Sequence, residues 1–215
     1  MNANKVSGTE GYAEMADYLV QQWQEISFKE HHAAVLHLLP VTPGRVLDIG
    51  SGIGSDAAAF AAMGHRVVAV EPVSELRLPG IALHDSTLIT WLDDSLPDLA
   101  VLNSRKETFD LIMLSAVWMH LDKAQRQRAM PRLASLMNAS GTMILSLRHG
   151  PVPAGRRMFD VSAAETIELA ALQNLEPILH AEAASIQKLN QQSGVTWTRL
   201  AFRRATSSSD KHRKV

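Results

Sequence analysis

The chain contains no cysteine. Disulfide cross-links and thiolate zinc sites are therefore excluded, as is any chemistry that needs a cysteine nucleophile. An excess of charge of either sign is also missing: 21 basic side chains balance 22 acidic ones, for a formal net charge of −1. A phosphate-backbone partner usually demands a basic imbalance, so no nucleic-acid partner is expected. No apolar run approaches the ~20 residues of a membrane span. Met1 to Thr9 is polar and is followed by no apolar run of secretory type, so no membrane association and a cytoplasmic location are expected. Internal repeats are lacking too. What is present, 215 residues of which 46% are hydrophobic, suffices for one globular domain with a real core.

The informative stretch is Arg45-Val46-Leu47-Asp48-Ile49-Gly50-Ser51-Gly52-Ile53-Gly54-Ser55-Asp56. Val46, Leu47 and Ile49 form the short apolar run of a strand buried on both faces. Glycines at alternate positions let the backbone turn sharply and approach a ligand with no Cβ in the way. Ala57 to Met63 reads as a helix closed by Gly64. Strand, glycine turn and helix together open a nucleotide- or nucleoside-binding α/β fold. The spacing separates two cofactors. A dinucleotide fingerprint wants a third glycine where Ser55 stands, and Asp48 would repel a pyrophosphate. The same acid suits a ligand carrying ammonium and sulfonium charges. The next strand, Arg66 to Val70, ends in Glu71, about 20 residues beyond the glycines, where an acid can hold both ribose hydroxyls.

In these residues the chain resembles the class I S-adenosylmethionine-dependent methyltransferases, whose first motif has the form acid-x-Gly-x-Gly-x-Gly and whose second is similar to Glu71-Pro72. The resemblance covers Gly44 to Leu147 closely and both ends loosely. It implies an α/β, Rossmann-like doubly wound sheet of seven strands in the order 3-2-1-4-5-7-6, with strand 7 antiparallel, beneath an N-terminal helical cap. The cap is expected over residues 1–40 and the methyltransferase domain over 41–205. Residues 206–215, polar and Ser-rich, read as a disordered tail. The implied cofactor is S-adenosyl-L-methionine, with S-adenosyl-L-homocysteine as product, held by Asp48, Gly50, Ser51, Gly52, Gly54, Glu71, Pro72 and Ser115. In this family an acid followed by Leu-Pro reaches the adenine amino group. Asp93 and Asp94 both stand ahead of Leu96-Pro97, and Asp85 is a third contender; otherwise these acids cap a helix over 96–102. The lack of cysteine removes the pyrimidine C5-methylating relatives.

Along the rest of the chain, Tyr12, Met15, Ala16, Leu19, Val20 and Trp23 fall on one helical stripe. A second helix is expected from Ser27, with Glu30 completing a capping box, to Pro40. Tyr12 and Trp23 either touch ligand or anchor these helices. His31 and His32 are adjacent and point to different helix faces, so no metal site is expected. Val73 to Leu78 reads as a turn or two of helix broken by Pro79-Gly80. Ile81 to His84 then reads as a short strand or extended lead-in to a third strand, Leu88 to Leu92. Phe109 to Ser115 is the fourth strand. Asp122 caps a helix that Pro131 divides into two short ones. Asn138 to Gly141 is a turn, and Thr142 to Leu147 the fifth strand. Ser162 and Glu165 form a capping box for a helix to Gln173. Leu175 to Ala181 and Val195 to Arg203 close the sheet; alternation slips at Leu200 and Phe202, which a bulge or two covered faces would explain.

His120 is the candidate catalytic base, because it follows the fourth strand and its pKa class suits neutral pH; the competing role is to line the pocket or cap the next helix. His149, after the fifth strand, is the reserve. Arg148, His149, Arg156 and Arg157 gather near that edge. They either read an anionic acceptor bidentately or form a solvated basic loop. Tyr12, Arg148 and His149 are the candidate substrate-binding residues. The function expected is methyl transfer to an oxygen or nitrogen of a small molecule by in-line displacement. A non-catalytic S-adenosylmethionine-binding regulatory domain would keep Asp48, the glycines and Glu71. A nicotinamide oxidoreductase lacks its third glycine here. An RNA methylase is disfavoured by the neutral charge and a protein methylase by the lack of an acceptor-binding insertion. The acceptor and the oligomeric state are not written in motifs.

Overall fold

The computed structural model describes residues 6–205. Seven strands form one sheet: β1 (Arg45–Ile49), β2 (Arg66–Val70), β3 (Ile89–Leu92), β4 (Phe109–Leu114), β5 (Met137–His149), β6 (Leu175–Ala184) and β7 (Thr196–Arg204). Their order is β3-β2-β1-β4-β5-β7-β6. The first five pair in parallel, while β7 runs antiparallel to both β5 and β6. This is the Rossmann-like topology that the family resemblance implies. The helices are α1 (Ala16–Gln24), α2 (Phe28–His31), α3 (Ser55–Ala62), α4 (Ser74–Leu83), α5 (Ala100–Ser104), α6 (Lys123–Leu136), α7 (Ala163–Ala171) and α8 (Lys188–Gln192).

Side chains on a strand alternate between faces, and both faces of this sheet are covered. Leu47, Ile49, Ile112 and Leu114 pack with Met130 and Leu133 of α6. Val46, Val67 and Leu111 pack on the other side with Phe60 of α3. Two covered faces also account for β7, where Leu200 and Phe202 enter the first layer and Ala201 the second. The bulge lies on its partner β6, between Pro177 and Leu179. Burying side chains such as Phe60, Phe109 and Phe202 completely stabilises the domain by roughly 1.5–3 kcal/mol each.

Both prolines expected to break helices lie inside them. α4 continues through Pro79 to Leu83, so Ile81 to Leu83 is helix and not strand. α6 is one helix of 14 residues containing Pro131. A proline deprives the carbonyl four residues earlier of its donor. Those carbonyls belong to Glu75 and Gln127, both exposed residues, where water can replace the lost bond. The apolar face is untouched: Ala129, Met130, Leu133 and Ala134 stay buried. Other differences are local. α2 is a single turn with Ser27 Oγ accepting from Glu30 N at 3.4 Å. β5 begins at Met137, with residues 138–141 looped out between the pairings of Phe109 and Leu111. Ser162 caps α7, but the Glu165 carboxylate turns to Arg126 instead.

No helix among the described residues is long and apolar enough to cross a membrane. The tail expected over residues 206–215 lies outside the described residues.

Candidate active site

The carboxyl ends of the parallel strands form the edge at which ligands bind in open α/β sheets. β1 leaves that edge through the glycine turn, whose Gly50 and Ser51 amides both donate to Val70 O, at 2.8 and 3.0 Å. Gly50 (φ +67°) and Gly52 (φ +57°) take left-handed conformations, which a side chain would strain. Space is closed as well. A Cβ on Gly50 would stand 2.5 Å from Val117 Cγ2, and one on Gly52 2.9 Å from Trp23 Cζ3. Trp23 of α1 therefore lies directly over the turn. It joins Tyr12, Val20 and Ile53 in a small apolar cluster, and so ties the amino-terminal helices to the glycine motif.

Four acids gather at this edge. Asp48 is 1% exposed, and its Oδ2 has no hydrogen-bond partner. Burial, followed by the neighbouring charges of Asp56 and Glu71, pushes its carboxyl well above the usual range. Glu71 Oε2 accepts from Gly52 N and Oε1 from Val73 N, both at 2.9 Å. Pro72 between them has no amide hydrogen of its own. Burial nevertheless raises the Glu71 carboxyl to about 7, against the pull of the two amides and Arg77. Arg77 donates to Glu71 O at 2.5 Å and to Asp93 Oδ2 at 2.8 Å, linking the ends of β2 and β3. Asp56, not singled out in the sequence, accepts from His32 Nε2 at 2.8 Å and from the Ser115 hydroxyl at 3.1 Å. Burial disfavours the Asp56 anion, but His32 and Ser115 outweigh it and hold the pKa below the ordinary value. No local pattern marks Asp56, because these partners lie 24 and 59 residues away.

The three adenine contenders stand apart. Asp93 is two-thirds exposed at the end of β3. Asp94 is buried, and both its oxygens are used: Oδ1 accepts from Ser95 N at 2.9 Å and Oδ2 from Leu102 N in the first turn of α5 at 2.8 Å. Asp85 precedes β3, at the amino edge of the sheet and away from the glycine turn.

His120 lies in a 3-10 turn, Trp118–His120, after β4 and is nearly buried. Its Nδ1 is 2.8 Å from Arg157 O. A carbonyl only accepts, so Nδ1 carries the hydrogen, and Nε2 of the neutral ring accepts from Tyr12 Oη at 3.0 Å. Burial lowers the His120 pKa, and Arg156 and Arg148 push the same way, against the Arg157 carbonyl. The Arg156 guanidinium sits 3.6 Å from the centre of the Tyr12 ring. Tyr12 is also 6.3 Å, ring to ring, from Trp23. Gly52, Trp23, Tyr12 and His120 thus form one continuous row. Burial raises the Tyr12 pKa, opposed by Arg156.

Arg157 is committed elsewhere, to Asp122 Oδ2 at 3.3 Å and the Phe159 ring. His149 Nε2 is 2.8 Å from Thr198 Oγ1. Arg148 Nη1 donates to Pro151 O, and Arg148 and His149 border a cavity of about 190 Å³ beside Met119. One supporting residue escaped the sequence. Buried Arg126 forks onto Glu165 at 2.9 Å and donates to Leu121 O at 2.6 Å, holding the chain next to His120. Glu165 had a ready local explanation as a cap, which hid this partnership. Among the described residues, no cluster of three or more metal-ligating side chains occurs.

A family model described as a methyltransferase domain matches residues 22–199. No curated protein matches the chain. Among solved structures, the 1,6-didemethyltoxoflavin-N1-methyltransferase of Burkholderia thailandensis, with 1,6-didemethyltoxoflavin and S-adenosylhomocysteine bound, superposes with a TM-score of 0.69. It is 19% identical, over 96% of this chain and 94% of that one. The magnesium protoporphyrin IX methyltransferase of Synechocystis PCC 6803, with S-adenosylmethionine bound, gives 0.66 at 16% identity, over 95% and 100% of the two chains. A ribosomal protein L11 methylase of Lactobacillus delbrueckii subsp. bulgaricus gives 0.58 at 22%, over 83% and 78%. These likenesses establish the shared fold.

Proposed function

Because the chain belongs to the methyltransferase-domain family, whose model spans residues 22–199, we propose that it transfers a methyl group from S-adenosylmethionine to an oxygen or nitrogen of a small molecule. The observation that carries this is the floor of the glycine turn. Asp48 Oδ2 and Ser51 Oγ are buried there without a protein partner, beside a carboxylate at the end of β2. An unpartnered buried polar atom costs roughly 1–3 kcal/mol, and a cationic, hydroxyl-bearing ligand would relieve both. In this assignment Asp48, Ser51 and the turn hold the amino-acid end of the cofactor, and Glu71 takes the ribose. Asp93, two-thirds exposed at the end of β3, takes the adenine.

When bound, S-adenosylmethionine supplies a methyl group whose carbon–sulfur bond breaks with the electron pair staying on sulfur. The protein mainly has to align the acceptor, and such positioning can supply ~7–11 kcal/mol. In this reading neutral His120, once the acceptor replaces the Tyr12 hydroxyl at Nε2, takes the proton that an acceptor hydroxyl or ammonium loses. A base in that role contributes about 10²–10⁴-fold. The segment through Pro40, with Tyr12 and Trp23, serves as the cap over both sites.

Incubation with methyl-labelled S-adenosylmethionine and a metabolite extract, followed by mass spectrometry, tests the assignment. A labelled small-molecule product is expected. Cofactor binding with no labelled product from extract, RNA or protein fractions would instead support a non-catalytic binding domain.

A further inference from the structure

We propose that His32 and Asp56 are positioning residues for cofactor binding. Together they hold the Ser115 hydroxyl as a hydrogen-bond acceptor for the ammonium group at the amino-acid end of S-adenosylmethionine. The proposal rests on the methyltransferase assignment and adds to it a role for buried polar groups that methyl transfer otherwise leaves idle.

Ser115 stands where the cofactor's amino-acid end would lie. It is the residue after β4, two beyond Met113, which pairs with Asp48 of β1. It is therefore level with the start of the glycine turn, at the same edge as the unpartnered Asp48 Oδ2 and Ser51 Oγ. The chain is accessible here and closed on both sides. Ser115, Ala116 and Val117 are half-buried, while Leu114 before them and Trp118 after them are buried.

This turn is strained and held on two sides. Ala116 takes a left-handed conformation (φ +59°), which is unfavourable for a residue with a Cβ. Ala116 N donates to Ser146 Oγ at 2.8 Å, and Ser115 Oγ donates to Asp56 Oδ2 at 3.1 Å. The second bond also sets the direction of the hydroxyl. A serine hydroxyl has one hydrogen and two lone pairs. Asp56 takes the hydrogen, so toward any other group Ser115 can only accept. An ammonium group, which can only donate, is the match for it.

Asp56 is held in turn by His32, whose Nε2 donates to Oδ2 at 2.8 Å. His32 is 1% exposed, with its ring 4.8 Å from that of Phe28 and 4.6 Å from that of His31. Its Nδ1 is buried without a partner among the described residues. Packing alone does not call for a histidine there, because a hydrocarbon side chain would fill the space without an unsatisfied nitrogen. What the hydrocarbon would lack is the donor to Asp56. His32 ends α2 and Asp56 lies in the first turn of α3, so the row His32, Asp56, Ser115 ties the segment ahead of β1 to the end of β4.

The test compares two ligands on the full-length protein by calorimetry. S-adenosylhomocysteine carries the ammonium group, whereas 5′-methylthioadenosine keeps the nucleoside and the thioether and lacks the amino-acid end. Ser115→Ala and His32→Leu should each weaken S-adenosylhomocysteine about tenfold and leave methylthioadenosine within about twofold. His32→Gln, which keeps a nitrogen donor for Asp56, should restore most of the loss. A purely structural role would move both ligands together or neither. Parallel losses, or S-adenosylhomocysteine affinity unchanged in Ser115→Ala, would therefore overturn the proposal. If His32→Leu does not fold, Ser115→Ala decides by the same selective loss. No binding of S-adenosylhomocysteine to the unaltered protein would remove the methyltransferase assignment too, whereas binding there without selective loss in the variants removes only the role of these residues.

Discussion

The Gly52 amide donates to Glu71 Oε2 across 2.9 Å, so the glycine turn after β1 is tied directly to the acid ending β2. That acid is buried and its carboxyl is raised to about 7 from an ordinary 4.5. Between those values the folded protein holds a proton that the unfolded chain releases. Its contribution to stability is therefore intact below about pH 4.5 and is lost as pH rises through 7, by about 3 kcal/mol over the full shift. Asp48, raised by burial and by its neighbours, acts with the same sign. Urea unfolding midpoints should fall between pH 5 and 8 in the unaltered protein, and Glu71→Gln should flatten the slope.

Cofactor binding should show the opposite dependence. A ligand with an ammonium group and a ribose diol favours the ionised forms of Asp48 and Glu71. S-adenosylhomocysteine affinity should therefore rise from pH 6 to 8, with proton uptake by buffer visible when calorimetry is repeated in buffers of different ionisation enthalpy. A pH-independent affinity would contradict the roles of both acids.

His120→Gln should lower kcat by about 10²–10⁴-fold while leaving S-adenosylhomocysteine affinity within a few-fold. Because burial lowers the His120 pKa, the acidic limb of the kcat/KM profile should fall below pH 6.5 and vanish in the variant. Tyr12→Phe keeps the ring on Arg156 and removes the donor to His120. Loss of that hydrogen bond should cost about 1 kcal/mol of stability.

Gly52→Ala places a Cβ 2.9 Å from Trp23 Cζ3 at a φ of +57°. The left-handed conformation alone costs roughly 1–2 kcal/mol, and the clash adds to it. Trp23→Leu in the same chain should recover the steric part. A double-mutant cycle on chemical denaturation should therefore show a coupling of about 0.5–3 kcal/mol, against additivity for distant sites.

Arg126→Met should destabilise the protein by about 3–5 kcal/mol, because it leaves Glu165 facing a largely buried site without its partner. It should also lower turnover, since the same guanidinium donates to Leu121 O next to His120. Replacing Arg126 and Glu165 together by apolar residues should restore stability more than turnover.

What the sequence discloses is what lies close along the chain. Residues 45 to 71 hold a strand, its glycine turn, a helix, a second strand and a terminal acid in succession, and the sheet order is legible only through the family resemblance that this unit carries. The prolines mislead for a different reason. Whether Pro79 and Pro131 end a helix depends on whether Glu75 and Gln127 face water, which no proline pattern records. The site is harder still. Tyr12 and His120 stand 108 residues apart and Arg126 and Glu165 39 apart, so they meet only once the sheet has formed. Asp93 and Asp94 look alike in sequence, yet one is exposed beside Arg77 and the other is buried on two amides.

The central claim is that Asp48 and Glu71 grip a cationic or neutral thioether nucleoside at the glycine turn, and calorimetry tests it most directly. S-adenosylhomocysteine should bind with measurable heat, NAD should give none, and Asp48→Asn with Glu71→Gln should weaken binding at least about a hundredfold, some 2.7 kcal/mol. NAD binding in place of S-adenosylhomocysteine, or undiminished affinity in the double variant, would contradict the account.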